Sequence, residues 1–203
     1  MKTPVIYLAS NSPRRRELLQ QIHVPFEPLL FRGPGRHDHD IAEHELPGED
    51  AVSYVCRVAR AKAEGGVARM QWRKLPRRLL LAADTTLEVD GAIIGKPDNG
   101  EHAWAILQRL SGRSHRVLTA VVLSDGSRFE QRLSVSEVRF RPLFDAEIRR
   151  YVATGEAADK AGAYGIQGRA ALFIEEIRGS YSGIMGLPLF ETGALLQEFG
   201  YPL

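Results

Sequence analysis

Residues 8–19 read Leu-Ala-Ser-Asn-Ser-Pro-Arg-Arg-Arg-Glu-Leu-Leu. The apolar run Val5–Ala9 predicts a strand, and Ser12 followed by Pro13 predicts a helix N-cap with proline at the first helical position; Glu17–Gln21 carries the helix on. Arg14, Arg15 and Arg16 therefore fall in the first turn. A helix N-terminus already bears about half a positive charge, and a cation there typically loses several tenths of a kcal/mol. An anion docked at the turn removes that conflict. Free backbone amides, the Ser10 and Ser12 hydroxyls and the guanidinium forks together make a phosphate cradle. A solvated basic turn is the plain alternative.

Outward from this stretch, strands and helices alternate. A second helix is expected over Asp50–Glu64, with Val52, Val55, Ala59 and Lys62 on one face, so that Lys62 sits in an apolar stripe near the helix C-terminus. It either snorkels from a core edge or points its ammonium into a cleft. Leu79–Ala83 reads as a strand buried on both faces, ending in Asp84-Thr85. Leu87–Ile94 reads as a hairpin turning at Asp90-Gly91, with Lys96-Pro97 directly after it. Then come a helix over Glu101–Leu110 stopped at Ser111-Gly112, strands Arg116–Leu123 and Arg128–Phe140 joined at Asp125-Gly126, and a helix over Asp145–Thr154. A glycine-rich loop over Asp159–Gly168, a strand over Ala171–Ile177 and a helix over Leu187–Phe199 complete the chain. The alternation predicts an α/β fold with a mixed sheet.

The 203 residues suit one domain spanning 1–203, and 44% hydrophobic with 26% charged residues is ordinary for a globular enzyme. A net charge of +2 is no basic footprint, which argues against nucleic-acid and membrane partners. Cys56, the single cysteine, has no internal disulfide partner, as suits a reducing compartment. No leader-like stretch opens the chain, and no run reaches the roughly 18 apolar residues of a membrane span. A cytoplasmic location is expected. Only five basic residues are lysines against 22 arginines, so Lys62, Lys96 and Lys160 stand out where they fall in motifs. His37-Asp38-His39-Asp40 reads as a polar loop, because contiguous residues rarely converge on one metal ion.

Asp84 is the candidate general base, a carboxylate expected at the carboxyl end of a buried strand. Asp-Thr there could equally be a simple cap. Gly91–Pro97 differs from a P-loop: three residues separate its glycines, and Pro97 stands where a Ser or Thr would hold magnesium. There is no G-x-G-x-x-G either. Phosphate binding must come from dispersed cations.

The blocks LASNSPRRRELL (8–19), VARAKA (58–63), ADT (83–85), GKP (95–97), LSGRSHRVLT (110–119), DKAGAYGIQG (159–168), Gly179–Tyr181 and GLPL (186–189) together resemble the Maf family of nucleoside triphosphate pyrophosphatases, in order from Tyr7 to about Phe199. The resemblance implies an elongated mixed α/β fold related to the inosine triphosphate pyrophosphatases, with the active site in a cleft between two lobes. It implies a nucleoside triphosphate substrate cleaved to the monophosphate and pyrophosphate. Asp84 would activate water, Arg14, Arg15, Lys62 and Lys96 would grip phosphates, and Ser10 and Ser12 would donate to them. It further implies a divalent cation, Mg2+ or Mn2+, with Glu43 and Asp84 as ligands; Ala42 stands where a second carboxylate is frequent. Lys160 would bind phosphate or brace its loop. Arg14, Thr85 and Gln167 match the branch that prefers dTTP and UTP over 7-methyl-GTP. The Gln167 amide can offer a pyrimidine edge one donor and one acceptor. There are two departures: Thr86 stands where an aliphatic residue is more frequent, with no expected effect on chemistry, and Gly183 replaces a common small polar residue, which weakens the match of its loop. The alternatives are a pyrophosphatase for 7-methyl-GTP or other modified nucleotides, and a non-catalytic nucleotide-binding regulator of septum formation. Oligomeric state, a homodimer included, is left open.

Overall fold

The computed structural model describes residues 3–29 and 43–203. The tetrad His37–Asp40 and Ala42 lie outside the described residues. Strand β1 (Ile6–Leu8) leads into helix α1 (Pro13–Gln21), as expected from residues 8–19. A short strand, β2 (Phe26–Pro28), then pairs parallel with β1, and its three residues are too few to show a period. Helix α2 (Ala51–Trp72) is capped by Asp50, whose carboxylate accepts the Val52 and Ser53 N–H groups. It runs well past the expected end at Glu64. Gly66 does not break it but lets it approach the sheet: a Cβ there would stand 2.7 Å from Leu80 Cδ1 and 3.3 Å from the Ala9 Cβ. Lys62 is therefore mid-helix, not near the C-terminus.

Strand β3 spans Leu80–Val89 and turns at Asp90-Gly91 into β4 (Ala92–Ile94). Helix α3 (Gly100–Leu110), strands β5 (Ser114–Ser124) and β6 (Phe129–Phe140), and helix α4 (Asp145–Val152) follow. The segment expected as a strand from Ala171 is a 3-10 turn over Arg169–Phe173, and strand β7 begins only at Ile174 and ends at Arg178. Helices α5 (Tyr181–Met185) and α6 (Leu189–Glu198) close the fold. Among the described residues the sheet has seven strands in the order β2-β1-β3-β5-β6-β7, with β4 paired to β3. β1 pairs parallel with β2 and β3, and the β3–β4, β3–β5, β5–β6 and β6–β7 pairings are antiparallel, so the expected mixed sheet is present.

The cores explain the sequence pattern of β3. Leu80 and Ala82 pack under α2, while Leu81 and Ala83 face a second cluster with α1 and α6 residues such as Leu18, Leu19, Leu195 and Leu196. Burial on both faces accounts for the unbroken apolar run. From Leu87 onward the strand joins a third cluster with α3, α4 and the 159–173 segment. Asp84, Thr85 and Thr86 interrupt the apolar run between these cores. Asp84 is thus inside the strand, not at its end, because β5 pairs along the whole of Leu80–Glu88. What ends nearby is β1. It pairs with β3 only at Leu80 and Leu81, and β4 takes over the same edge at Leu87, leaving Asp84–Thr86 flanking a gap.

His115 lies in the third core, its Nε2 2.8 Å from the Tyr164 hydroxyl. Burial pushes its pKa down to about 4. The folded protein keeps it neutral, whereas the unfolded chain takes up a proton near pH 6.5. Its contribution to stability is complete above that pH and is lost as pH falls toward 4. Urea unfolding should show wild type losing up to about 1.4 kcal/mol per pH unit across this window, and His115→Gln should lack that part of the slope.

Candidate active site

The gap on the β3 edge opens into a cavity of about 680 Å3 lined by the residues singled out above for chemistry, from Ser10 and Arg15 to Lys96 and Gln167, with the exception of Arg16. That volume is in the usual range for small-ligand sites. Several separate parts of the chain build it. The turn from β1 into α1 supplies Ser10, Ser12, Arg14 and Arg15; the β3 centre and mid-α2 supply Asp84, Thr85 and Lys62; the 159–167 loop supplies the far wall.

Ser12 is at the N-cap position, but its hydroxyl makes no cap hydrogen bond. Its N–H instead donates to Ser10 Oγ at 3.2 Å, and Arg15 Nη1 donates to the same oxygen at 3.1 Å. Both Ser10 lone pairs are engaged, so its O–H is left to donate into the cavity. Arg15 also donates from Nη2 to Thr85 Oγ1 (3.2 Å) and from Nε to the Gly186 carbonyl (2.6 Å). All these acceptors are neutral. Burial, opposed by the Asp84 charge, lowers the Arg15 pKa from the ordinary arginine value. Among the described residues no carboxylate touches this partly buried cation, and an anion that completes it offsets its desolvation. Three of its five N–H donors are used, leaving two for a ligand.

Lys62 Nζ touches two carboxylates, Asp84 Oδ1 at 2.8 Å and Glu43 Oε1 at 2.9 Å. The cleft reading of this lysine is the one that holds. Burial is the largest single influence on Glu43 and pushes its pKa up, but Lys62, Lys96 and Arg15 together outweigh it and hold it below the usual carboxylate range. One cation bridging both carboxylates marks a seat that a hard divalent ion would also suit, since magnesium takes one or two protein carboxylates and completes its shell with phosphate and water. Among the described residues no group of three metal-ligating side chains is present. Tyr54 lies two helical turns before Lys62 on α2, and its hydroxyl donates to the Glu43 backbone carbonyl at 2.9 Å, tying the Glu43 backbone to α2. The spacing of eight residues could have revealed Tyr54; the bond to Glu43 could not have been read.

Arg14 reaches across the cavity to Asp159, Nη1 to Oδ2 at 3.5 Å. Lys160 donates to the Glu156 carbonyl (2.7 Å) and Asp159 Oδ1 (2.6 Å), so it braces its own loop. Lys96 and Gln167 are exposed on the cavity wall, without a hydrogen-bond partner among the described residues. Thr85 is spent on Arg15 and on Thr119, whose Oγ1 is 3.0 Å away. Thr119 went unnoticed in the sequence because it lies in an otherwise apolar strand. Gly183 has a packing reason: a Cβ there would stand 2.9 Å from Ser134 Oγ.

The chain matches the family described as Maf-like protein over residues 5–199. It is 69% identical over 199 residues to a protein of Aromatoleum aromaticum named dTTP/UTP pyrophosphatase, covering 98% of this chain and 97% of that one. Proteins of the same name in Dechloromonas aromatica and Chromobacterium violaceum are 56% and 52% identical over 196 and 198 residues, covering 97% and 98% of this chain and 98% and 96% of theirs. Among solved structures, the Ham1 protein of Staphylococcus aureus shares the fold, with a TM-score of 0.51 at 15% identity, covering 96% of this chain and 99% of that one.

The far wall depends on a tight approach. Gly162 has φ +73°, and a Cβ on it would fall 2.2 Å from Leu87 Cδ2. Gly162→Ala should therefore cost about 1–3 kcal/mol through overpacking and left-handed strain. Denaturant titration checks the loss, and a stability within about 0.5 kcal/mol of wild type would contradict this packing account.

Proposed function

Because the chain belongs to the Maf family, we propose that it is a nucleoside triphosphate pyrophosphatase that hydrolyses dTTP and UTP to the monophosphate and pyrophosphate. The observation that carries the reading is Arg15, a partly buried cation held by neutral acceptors at a helix N-terminus, in the same cavity as the Lys62–Asp84–Glu43 cluster.

The triphosphate lies against the first turn of α1, where unpaired backbone amides, the Ser10 O–H and the two spare Arg15 N–H groups converge on its oxygens. Lys96 adds a charge without first having to leave a partner. Arg14 exchanges Asp159 for phosphate. These groups stabilise charge that builds on the phosphoryl oxygens in the transition state. Asp84 orients a water and takes its proton; Lys62 on Oδ1 keeps the carboxylate in place, and Oδ2 is left to face the water. Glu43 and Asp84 would hold a magnesium or manganese ion, which supplies charge neutralisation across the phosphates. The base lies toward the far wall, with Leu87, Val117 and Ile184 as apolar surface and the Gln167 amide as donor and acceptor for a pyrimidine edge.

Asp84→Asn should keep nucleotide binding and lower turnover by roughly 10²–10⁴-fold, the usual worth of a general base. Activity within a few-fold of wild type would remove Asp84 from that role.

Base choice is tested by pyrophosphate release over a panel of triphosphates. dTTP and UTP should exceed GTP and 7-methyl-GTP by at least about tenfold in kcat/KM, equivalent to about 1.4 kcal/mol. Gln167→Glu should erode the preference, since it replaces the amide donor with an acceptor, while sparing hydrolysis. Preference for 7-methyl-GTP would move the chain to the other branch. Nucleotide binding with no pyrophosphate released in a single turnover would make it a binding protein.

A further inference from the structure

One row across the middle of the sheet carries three hydroxyls: Thr85 on β3 pairs with Thr119 on β5, which pairs with Ser134 on β6. Thr119 is fully buried and does not line the cavity. Its Oγ1 donates to the Gly183 carbonyl at 2.8 Å and lies 3.0 Å from Thr85 Oγ1. A hydroxyl has one proton, so with that proton on Gly183 the Thr85–Thr119 bond can run in only one direction. Thr85 donates, and Thr119 accepts. The Thr85 lone pairs are then turned toward Arg15, whose Nη2 donates to them at 3.2 Å. The same threonine also holds α5 down by its Gly183 carbonyl, and the Gly186 carbonyl just beyond α5 accepts Arg15 Nε at 2.6 Å. Two of the three Arg15 contacts thus depend on Thr119, one through a hydroxyl and one through backbone.

We propose that Thr119 is a positioning residue for Arg15: by fixing the proton order of the Thr85–Thr119–Gly183 chain, it sets the direction in which the guanidinium presents its two remaining N–H groups to phosphate. The proposal rests on the pyrophosphatase reading. Removing the hydroxyl while keeping the side-chain shape leaves the Gly183 carbonyl with the Gly186 N–H as its one remaining donor among the described residues and frees Thr85 to turn its proton toward Arg15. An O–H pointed at a guanidinium N–H repels it. The guanidinium must then tilt, and small misplacements of a charge-stabilising group have large kinetic effects.

The test is a double-mutant cycle on kcat/KM for dTTP, with Thr119→Val and Thr119→Ser each made alone and with Arg15→Ala. Thr119→Val should lose on the order of tenfold to a hundredfold. Thr119→Ser, which retains the hydroxyl, should stay within about threefold of wild type. In the Arg15→Ala background the two Thr119 variants should be equal, because nothing remains to be positioned. Equal multiplicative losses with and without Arg15, or Thr119→Val as active as wild type, would overturn the proposal. If Thr119→Val does not fold, Thr119→Ala removes the same hydroxyl with less steric demand; failure of both to fold makes Thr119 a structural residue only. The same cycle read by calorimetric binding of inorganic pyrophosphate needs no turnover. It separates failure of this proposal from failure of the pyrophosphatase reading, which would show as wild type that releases no pyrophosphate from dTTP or UTP.

Discussion

The structure turns on one unsatisfied electrostatic demand. Arg15 is a partly buried positive charge whose direct partners among the described residues, Ser10, Thr85 and the Gly186 carbonyl, are all neutral. Neutral acceptors orient a guanidinium without cancelling it. The strand β1, the N-terminus of α1, the polar centre of β3 and the turn after α5 are arranged around that cation. Its neighbour Lys62 is treated in the opposite way, with a carboxylate on either side. The cavity therefore holds cations compensated in advance, Lys62 among them, beside cations that await an anion, Arg15 and Lys96, and a triphosphate with its counter-ion complements both kinds.

The arrangement was unevenly legible in the sequence. Local chemistry could be read directly: Ser12-Pro13 starts α1, Asp90-Gly91 and Asp125-Gly126 make the hairpin turns, and the Val52–Val55–Ala59–Lys62 stripe places the ammonium against the sheet. Periodicity failed where a strand changes partners along its length. Asp84 looked like the end of a strand because the apolar run stops there. The backbone continues because β5 pairs beyond it, and pairing between distant segments leaves no mark in local composition. The helix expected to end at Glu64 likewise continues, and at Gly66 α2 makes its close approach to Leu80.

Among the residues of the site, those with unusual local context stood out, and those defined by register did not. Arg15 was conspicuous because a cation in a first helical turn conflicts with the dipole. Thr119 was inconspicuous because threonine is at home in a strand. Its position opposite Thr85 is a property of the β3–β5 register alone. Lys160, prominent as one of few lysines, proved to brace its own loop.

The gap beside Asp84 also bears on the order of assembly. The β5–β6 hairpin closes through Asp125-Gly126, where the Asp125 carboxylate accepts the Ser127 and Arg128 N–H groups, and its partners are near in sequence. The β1–β3 pairing instead joins Tyr7 to Leu80 across all of α1 and α2. Closing so long a loop costs more chain entropy than forming a hairpin, so the β1–β3 contact is the more expensive of the two to make. The phosphate-facing turn after β1 exists only when this distant pairing does. A chain that keeps its meander but has released its first strand has no anion site, and bound triphosphate favours the state in which both ends of that long loop are docked.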